Sequence, residues 1–315
     1  MEAAETVIPA TSRLTGRTDA SGVLERLFGR IQDRCEGRSA EIQTGFNSLD
    51  WIIGGLVPGE LTVVGGFAGT GTTAFMIGII RNLIARNLPP SEVTPVLVSL
   101  TDEIPEKWML QMLSIDSGLG AMQILRGADT ETLNESRRRI SGYPIAFSPR
   151  RPQDVWSLAS QMDQMKSDAE GRSRPGILFV DRLEDHYPFN AYESSTMKRK
   201  ERIAEAVAEL RGLAEASGWA VIAGTRLRHR QNEDLMGAPT FRNFWNPTVI
   251  ADAADKVILL HRPELFVTVE EAKNKNLNNL MKISVLRNVS GPAGECVMRF
   301  EGGKGRFEEW IESDG

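Results

Sequence analysis

Residues 61–73 have the sequence LTVVGGFAGTGTT. The first four residues are an apolar run whose length and composition predict a buried strand. A glycine-rich segment follows at 65–71, and residues 74–86 have the apolar density of a helix. A strand, a glycine-rich loop and a helix in this order can bind a phosphate group through main-chain amides. The helix contributes because its N-terminus directs partial positive charge at the anion.

The loop fits the phosphate-loop pattern G-x-x-x-x-G-K-[ST] at every fixed position except one, because Thr72 stands where the pattern has lysine. Its amides can still turn inward around phosphates, and Thr73 matches the hydroxyl that holds Mg²⁺. Threonine donates one hydrogen bond but cannot offset the charge that builds up during phosphoryl transfer, so we expect hydrolysis to fall more than ATP binding. A glycine-rich turn that binds nothing is the alternative. The candidate nucleotide ligands are Gly66, Gly69, Thr70, Gly71, Thr72 and Thr73.

A second apolar run, residues 177–181, ends in an acid, Asp181. An aspartate in that position is typical of the carboxylate that orients Mg²⁺ in phosphate-loop proteins. Buried strands that end in aspartate are common, so the assignment depends on the phosphate loop. Thr73 and Asp181 are the candidate metal ligands.

Apolar strands alternate with helices along the chain. This alternation predicts an α/β fold with a mostly parallel sheet that is covered by helices on both faces. Residues 281–310 instead indicate short antiparallel strands at the sheet edge, and residues 44–59 form a turn-rich stretch. We expect strands at 61–64, 96–100, 177–181, 220–223 and 256–260, and helices at 74–86, 106–115 and 203–217.

The N-terminal part differs from the rest of the chain. Residues 1–21 are small and polar without a period, which predicts a flexible tail. Residues 22–40 carry apolar side chains at helical spacing and form an amphipathic helix, and residues 41–315 form the main domain. The helix packs either on its own domain or on a neighbouring subunit, and the sequence favours neither.

Composition excludes several classes of protein. The net charge of −5 argues against sequence-independent coating of DNA, which depends on Lys and Arg, although a local basic channel remains open. Two cysteines and three histidines provide neither a disulfide framework nor a zinc site. No apolar run approaches the length of a membrane span, and the first residues lack the pattern of a signal peptide, so we expect a cytoplasmic protein.

Together these features resemble the C-terminal motor domain of DnaB-type replicative helicases and, more distantly, the RadA and KaiC proteins. The resemblance runs from about residue 22 to the C terminus. Besides the phosphate loop, it is carried by the helix before TGFNSLD at 44–50, LVPGEL at 56–61, the SL and EIP segments within 99–105, ILRG at 124–127, the helix at 203–217, and Arg287-Asn288 with Gly291-Pro292.

The resemblance implies a RecA-like phosphate-loop ATPase domain that uses ATP and Mg²⁺. Glu103 would polarise the attacking water, and Arg287 would act as an arginine finger in the site of a neighbouring subunit. It also implies a homo-oligomeric ring, a hexamer, in which the helix at 22–40 packs on the next subunit. Proteins of this family thread single-stranded DNA through the ring and use ATP to move along it.

Three residues of the nucleotide site depart from the family pattern. Thr72 replaces lysine, Val285 replaces the basic residue two positions before the finger arginine, and Arg226 replaces a glutamine. Arg226 either supplies in the same chain the charge that Thr72 lacks, or is a surface arginine paired with a carboxylate. We also expect the family's N-terminal collar domain to be absent, because only the tail precedes the helix.

Basic residues cluster after two of the predicted strands, at 197–200 and 226–230. In RecA-type rings the corresponding loops face the central channel, so these residues are candidates for contact with DNA phosphates; nearby acids favour solvated surface instead. The segment 241–247 combines aromatic residues with an arginine, and it either stacks on bases or anchors its own loop. The candidate DNA ligands are Arg228, Arg230 and Arg242.

Two functional hypotheses follow from the sequence. The first is an ATP-binding, DnaB-like helicase or translocase. The second is a pseudo-ATPase, a nucleotide-binding or nucleotide-free ring subunit that serves as a scaffold, loader or regulator without motor activity.

Overall fold

The computed structural model describes residues 20–35, 41–89, 92–101, 104–127, 129–148, 154–165, 175–186, 199–229 and 236–310. The chain divides into two compact units, Met1–Ile42 and Gln43–Gly315. No helix in the described ranges is both long enough and apolar enough to cross a bilayer.

The first unit contains helix α1 (Ala20–Cys35). Leu24, Leu27, Phe28 and Ile31 of this helix are exposed. An exposed apolar stripe is typical of a helix that packs on another surface. The predicted tail lies outside the described residues except for its last two positions, and so do positions 36–40 of the predicted helix.

Within the described residues, the second unit is built on a nine-stranded sheet with the order β3-β2-β4-β5-β1-β6-β7-β8-β9. The strands from β3 to β6 in this order are parallel, and β7, β8 and β9 add an antiparallel edge. The bounds are β1 (Leu61–Gly66), β2 (Val96–Leu100), β3 (Ile145–Phe147), β4 (Ile177–Asp181), β5 (Ala220–Arg226), β6 (Lys256–His261), β7 (Leu280–Asn288), β8 (Gly294–Glu301) and β9 (Arg306–Glu309).

Helices cover both faces of this sheet. Ala223 of β5 belongs to a buried cluster that includes the inner face of the helix at 199–217, whereas a Cβ at the next residue, Gly224, would meet Met76 of the helix at 72–85. Alternate residues of one strand therefore face different helices. The helices are α2 (Asn47–Ile53), α3 (Thr72–Ala85), α4 (Pro105–Ser117), α5 (Ala121–Leu125), α6 (Thr130–Ser141), α7 (Val155–Met165), α8 (Arg199–Ser217), α9 (Pro247–Ala253) and α10 (Val269–Asn274).

The predicted α/β fold, with its parallel sheet and antiparallel edge, is confirmed. Every predicted strand is present; those at 96–100 and 177–181 have the predicted bounds, and the others continue for one to three further residues. The turn-rich prediction for residues 44–59 was wrong in part, because helix α2 lies inside it. Asp50 stabilises the entry to α2 by accepting hydrogen bonds from the Thr44 amide and hydroxyl at 2.9 and 2.8 Å.

The register places the ends of four strands at one edge of the sheet. Gly66, the last residue of β1, pairs with Arg226 at the end of β5. Asp181, the last residue of β4, pairs with Gly224 of β5 and with Leu100 at the end of β2. Ligands of open α/β sheets bind at this carboxyl edge, so the fold brings the candidate residues of β1, β4 and β5 together.

A buried ion pair lies at the opposite edge. Lys256 begins β6 and is completely buried, and its ammonium group pairs with the carboxylate of Glu60, which precedes β1. The second oxygen of Glu60 accepts a hydrogen bond from Ser290 at 2.9 Å. The pair therefore joins β1 and β6 to the turn after β7.

Glu60→Ala should lower the free energy of unfolding by about 3 kcal/mol, because it leaves a buried ammonium group without a partner. Urea denaturation of the two proteins measures the change. Glu135→Ala is the control, since its exposed pair with Arg139 spans 4.0 Å and should contribute less than about 1 kcal/mol. Equal losses in the two variants would contradict a special role for the buried pair.

Candidate functional site

The loop between β1 and α3 turns through two glycines in the left-handed region, with φ of +81° at Gly69 and +103° at Gly71. The Thr70 amide closes the turn by donating to the Phe67 carbonyl at 3.0 Å. A Cβ at Gly71 would lie 2.9 Å from Cζ of Phe300. Residues other than glycine rarely adopt these backbone angles, so the loop depends on glycine at both positions.

Helix α3 begins directly after the loop, and no side chain caps its N-terminus. Within the described part of the chain, the amides of Gly71, Thr72 and Thr73 donate no main-chain hydrogen bond. Open amides at a helix N-terminus attract an anion, because the helix dipole adds partial positive charge there. The main chain alone can therefore bind a phosphate group at this position.

The side chain of Thr72 lies between two strands of the sheet. A Cβ at Gly66 would lie 2.7 Å from its hydroxyl oxygen, and a Cβ at Gly224 would lie 3.3 Å from its methyl carbon. Thr72 thus fills the space between β1 and β5 at the floor of the loop. A threonine packed in this way places no positive charge in the cavity.

Thr73 and Asp181 are brought together as the sequence indicated. The Thr73 hydroxyl donates a hydrogen bond of 2.9 Å to the Asp181 carboxylate, which is only 6% exposed. A hydroxyl and a carboxylate oxygen side by side form a hard donor set that suits Mg²⁺, which takes its remaining ligands from water and phosphate. No cluster of three or more His, Cys, Asp or Glu side chains with metal-binding geometry occurs in the described ranges.

The loop and Asp181 line a cavity of about 690 Å³. Among the described residues that line the cavity, one is acidic, Asp181, and five are basic. The excess of positive charge favours an anionic ligand. The basic residues are Lys107, Arg182, Arg226, Arg262 and Lys304.

Residues 41–309 match the family model of the DnaB-like helicase C terminal domain. The chain belongs to this family. The replicative DNA helicase DnaB of Mycoplasma genitalium is 23% identical over 270 residues, which are 84% of this chain and 56% of that protein. The probable replicative DNA helicase of Trieres chinensis is 20% identical over 282 residues, 87% of this chain and 58% of that protein. This chain therefore spans less than two thirds of either relative.

Two solved structures share the fold. One is an isolated ATPase domain, which superposes with a TM-score of 0.77 at 19% identity, covering 93% of this chain and all of that domain. The other is a DnaB-like replicative helicase whose structure was described together with its interactions with primase. It gives a TM-score of 0.76 at 18% identity, covering 94% of this chain and 68% of that one. The predicted resemblance to DnaB and the RecA-like fold are confirmed.

The other residues that the resemblance assigned to catalysis lie away from the loop or outside the described residues. Glu103 is outside them, and so is Arg230, which was predicted as a DNA ligand and not as a catalytic residue. Arg287 of this DnaB-like domain lies on β7, where it pairs with Val257 and donates a hydrogen bond of 2.7 Å to the Ala254 carbonyl. Val257 is three residues before Leu260, which pairs with Gly66. Arg287 therefore lies towards the edge of the sheet opposite to its own phosphate loop.

Arg226 is exposed and lines the cavity. No carboxylate within the described part of the chain forms an ion pair with its guanidinium. Its amide donates to the carboxylate of Glu184 at 2.5 Å, and the Thr225 hydroxyl donates to the same oxygen at 2.6 Å. Burial raises the pKa of Glu184. Glu184 thus attaches the end of β5 to the segment after Asp181, and the Arg226 side chain remains available to a ligand.

The predicted DNA-binding segments converge. Arg199, at the start of α8, and Arg228, after β5, lie over the ring of Trp245, with guanidinium carbons 4.6 and 5.2 Å from its centroid. Arg242 is exposed nearby in the sequence, and Phe244 is buried in the core. Phe244 therefore anchors its loop, as one of the two interpretations of this segment holds, while Trp245 orders two arginines by cation–π contact.

Sequence reasoning missed several residues of the cavity. Arg262 follows β6, and Lys304 lies in the turn between β8 and β9; Lys107 is on α4. None belongs to a motif, so a sequence signal was lacking. Only the strand order, which places β6 beside β1, brings Arg262 to the loop.

His186 follows Asp181 by five residues and is buried, with no hydrogen-bond partner for either ring nitrogen in the described part of the chain. Burial lowers the pKa of His186 to about 4, although Asp154 acts in the opposite direction. The folded domain therefore holds a neutral imidazole close in sequence to its candidate metal ligand.

Stability should fall as the pH is lowered from about 6.5 to about 4, because His186 of the unfolded chain takes up a proton in this range and the folded domain does not. At the pH that equals the pKa of His186 in the folded domain, the loss in free energy of unfolding is about 3 kcal/mol. We expect His186→Phe to remove this part of the pH dependence. Urea denaturation at several pH values measures it, and an unchanged slope in the variant would show that another group is responsible.

Proposed function

We propose that this chain binds ATP and Mg²⁺ at the loop of residues 66–73 and acts in a DnaB-like ring on single-stranded DNA, with hydrolysis slowed by Thr72. The hydrogen bond of 2.9 Å between Thr73 and Asp181, beside open amides, is the observation that supports it most directly. Membership of the DnaB-like helicase family supports the choice of nucleotide and of DNA.

The phosphates would be bound mainly by the main chain. The amides of Gly69, Gly71, Thr72 and Thr73 would donate to the β- and γ-phosphate oxygens, with Thr70 at the turn. Mg²⁺ would be held by the Thr73 hydroxyl directly and by Asp181 through water, with phosphate oxygens and further water completing its coordination. Gly66 would leave room for the Thr72 side chain, since a Cβ there would approach the Thr72 hydroxyl to 2.7 Å.

Arg226 would supply part of the charge that lysine provides in the standard loop. It ends the strand that pairs with β1 at Gly66, lines the cavity and has no carboxylate partner among the described residues. A guanidinium group binds phosphate oxygens with two N–H groups. This arrangement would retain nucleotide affinity, but it would not reproduce an ammonium group between the β- and γ-phosphates.

Catalysis would need further groups, Glu103 for the attacking water and Arg287 from a neighbouring subunit. Arg287 lies towards the sheet edge away from its own loop, as a residue that acts in another subunit would. We therefore propose a homo-oligomeric ring, a hexamer, with helix α1 packed on the next subunit. Arg228, Arg230 and Arg242 would contact the phosphates of the DNA strand, with Arg199 beside Arg228 on Trp245.

The second candidate is a pseudo-ATPase ring subunit that binds nucleotide as a structural or regulatory ligand. The packing of Thr72 favours the pseudo-ATPase, because that side chain lies against Gly66 and Gly224 and does not supply the positive charge that the lysine provides in catalysis. The two candidates predict different turnover by the natural sequence.

Mg·ATP should bind to the natural protein and be hydrolysed slowly, with stimulation by single-stranded DNA. Thr72→Lys should raise turnover by about a hundredfold, which is the typical effect of one electrostatic group in a closed site. Asp181→Asn should abolish turnover, because it removes the Mg²⁺ ligand. Equilibrium binding of a fluorescent ATP analogue and steady-state phosphate release measure the two quantities.

Asp252→Asn is the control for these assays, since Asp252 is exposed on α9. Retained binding without any turnover, with or without DNA, would establish the pseudo-ATPase instead of the motor. Absence of nucleotide binding would contradict both nucleotide-binding candidates and leave a nucleotide-free scaffold.

Arg228→Ala and Arg242→Ala should each weaken binding of an oligothymidylate and reduce the salt dependence of its affinity by about one released ion, because each removes one phosphate contact. Fluorescence anisotropy at several salt concentrations measures both. Arg137→Ala on α6 is the control, because Arg137 is an exposed arginine outside this cluster. Equal slopes in all four proteins would exclude the cluster from the DNA site.

A further inference from the structure

Arg262 contacts the phosphate loop directly. It follows β6, which lies next to β1 on the side away from β5. Its Nη1 donates a hydrogen bond of 3.0 Å to the carbonyl oxygen of Gly69, one of the two left-handed glycines. This bond joins the end of β6 to the middle of the loop.

The guanidinium group is fixed by three further contacts. It lies over the ring of Phe300, 4.7 Å from the centroid. Nε donates to one oxygen of Glu264 at 3.1 Å, and Nη2 donates to the same oxygen. The second oxygen of Glu264 accepts the amide of Asn279 at 2.7 Å. With 13% of its side chain exposed, Arg262 is a rigid group between the loop and the antiparallel edge of the sheet.

Phe300 extends the same contact to the second glycine, since a Cβ at Gly71 would come within 2.9 Å of its ring. Arg262 and Phe300 therefore touch the loop at both positions where the chain takes a left-handed turn. A loop with three glycines in six residues loses much conformational entropy when it is ordered. Contacts that order it in advance reduce this loss at the moment of binding.

The charge of Arg262 is balanced by Glu264, unlike that of Arg226. Its contribution is therefore to the shape of the loop. A hydrogen bond from a charged donor to a carbonyl is stronger than a neutral one, and at Gly69 it turns the carbonyl oxygen towards Arg262.

We propose that Arg262 is a positioning residue that holds residues 66–73 in their phosphate-binding shape before a nucleotide arrives. The identity of the ligand rests on the proposed function. The order of the loop does not, because the loop is ordered in the protein without nucleotide. The loop of this chain would thus owe its shape to a residue that follows β6, and to the neighbours of that residue.

The test is hydrogen exchange at single amides in the nucleotide-free protein. The reporters are the amides of Thr70 and Phe75, which donate to the carbonyls of Phe67 and Gly71 at 3.0 and 2.8 Å. In Arg262→Ala both should exchange at least about tenfold faster, as expected when a charge-assisted hydrogen bond no longer opposes local opening. Arg262→Lys keeps the charge, but an ammonium group cannot contact Gly69, Glu264 and Phe300 at once. The two reporter amides should therefore exchange faster in this variant as well.

Arg299→Ala on β8 is the matched control, because Arg299 is exposed beside Phe300 in the sequence, and its exchange should equal that of the natural protein. Unchanged exchange in both Arg262→Lys and Arg262→Ala would overturn the proposal, even if nucleotide binds.

A second measurement concerns the affinity for nucleotide. Arg262→Ala should weaken Mg·ATP and Mg·ADP by the same factor, about tenfold, because loop shape serves both.

A loss confined to Mg·ATP would overturn a role in loop shape, because it would indicate a contact with the γ-phosphate. Failure of the natural protein to bind either nucleotide would reject the proposed function, and the exchange of Thr70 and Phe75 would still decide the role of Arg262.

Discussion

Main-chain amides at the start of α3 face the Asp181 carboxylate across the carboxyl edge of the sheet, and this juxtaposition depends on the whole parallel half of the domain. Open amides without a side-chain cap favour an anion, while Asp181 disfavours one unless a cation lies between them. A phosphate chain with Mg²⁺ satisfies both sides. In the protein without a ligand, Thr73 donates a hydrogen bond to Asp181 at the position where Mg²⁺ would bind.

The positive charge of the cavity comes from residues outside the phosphate loop. In place of one lysine within the loop, Lys107, Arg182, Arg226, Arg262 and Lys304 surround it from other parts of the chain. Some of this charge is balanced locally, as by Glu264 at Arg262 and by Asp185 at Arg182. Such a site can bind an anion through the summed field, yet no ammonium group stands within the loop itself to offset the charge that develops during phosphoryl transfer.

The sequence was sufficient for the fold because the strands are apolar runs between turn residues, and because the phosphate-loop pattern fixes the direction of the first βα unit. Short elements escaped it. Helix α2 and strand β3 are too brief to show a period. Helix α2 forms because its neighbours bury three of its apolar side chains, and β3 forms because it pairs with β2. Thr73 and Asp181 were each predicted as an Mg²⁺ ligand from their motifs, and the structure brings them within hydrogen-bonding distance. Arg262 was not, because its position follows from the order of β6 beside β1, a tertiary property without a local pattern.

The most direct test of the central claim is a crystal structure of the protein with Mg²⁺ and a non-hydrolysable ATP analogue. We predict phosphate oxygens within hydrogen-bonding distance of the amide nitrogens of Gly71, Thr72 and Thr73, roughly 2.7–3.2 Å, and Mg²⁺ on the Thr73 hydroxyl next to Asp181. A nucleotide bound elsewhere, or a loop that stays empty at saturating nucleotide, would contradict the account.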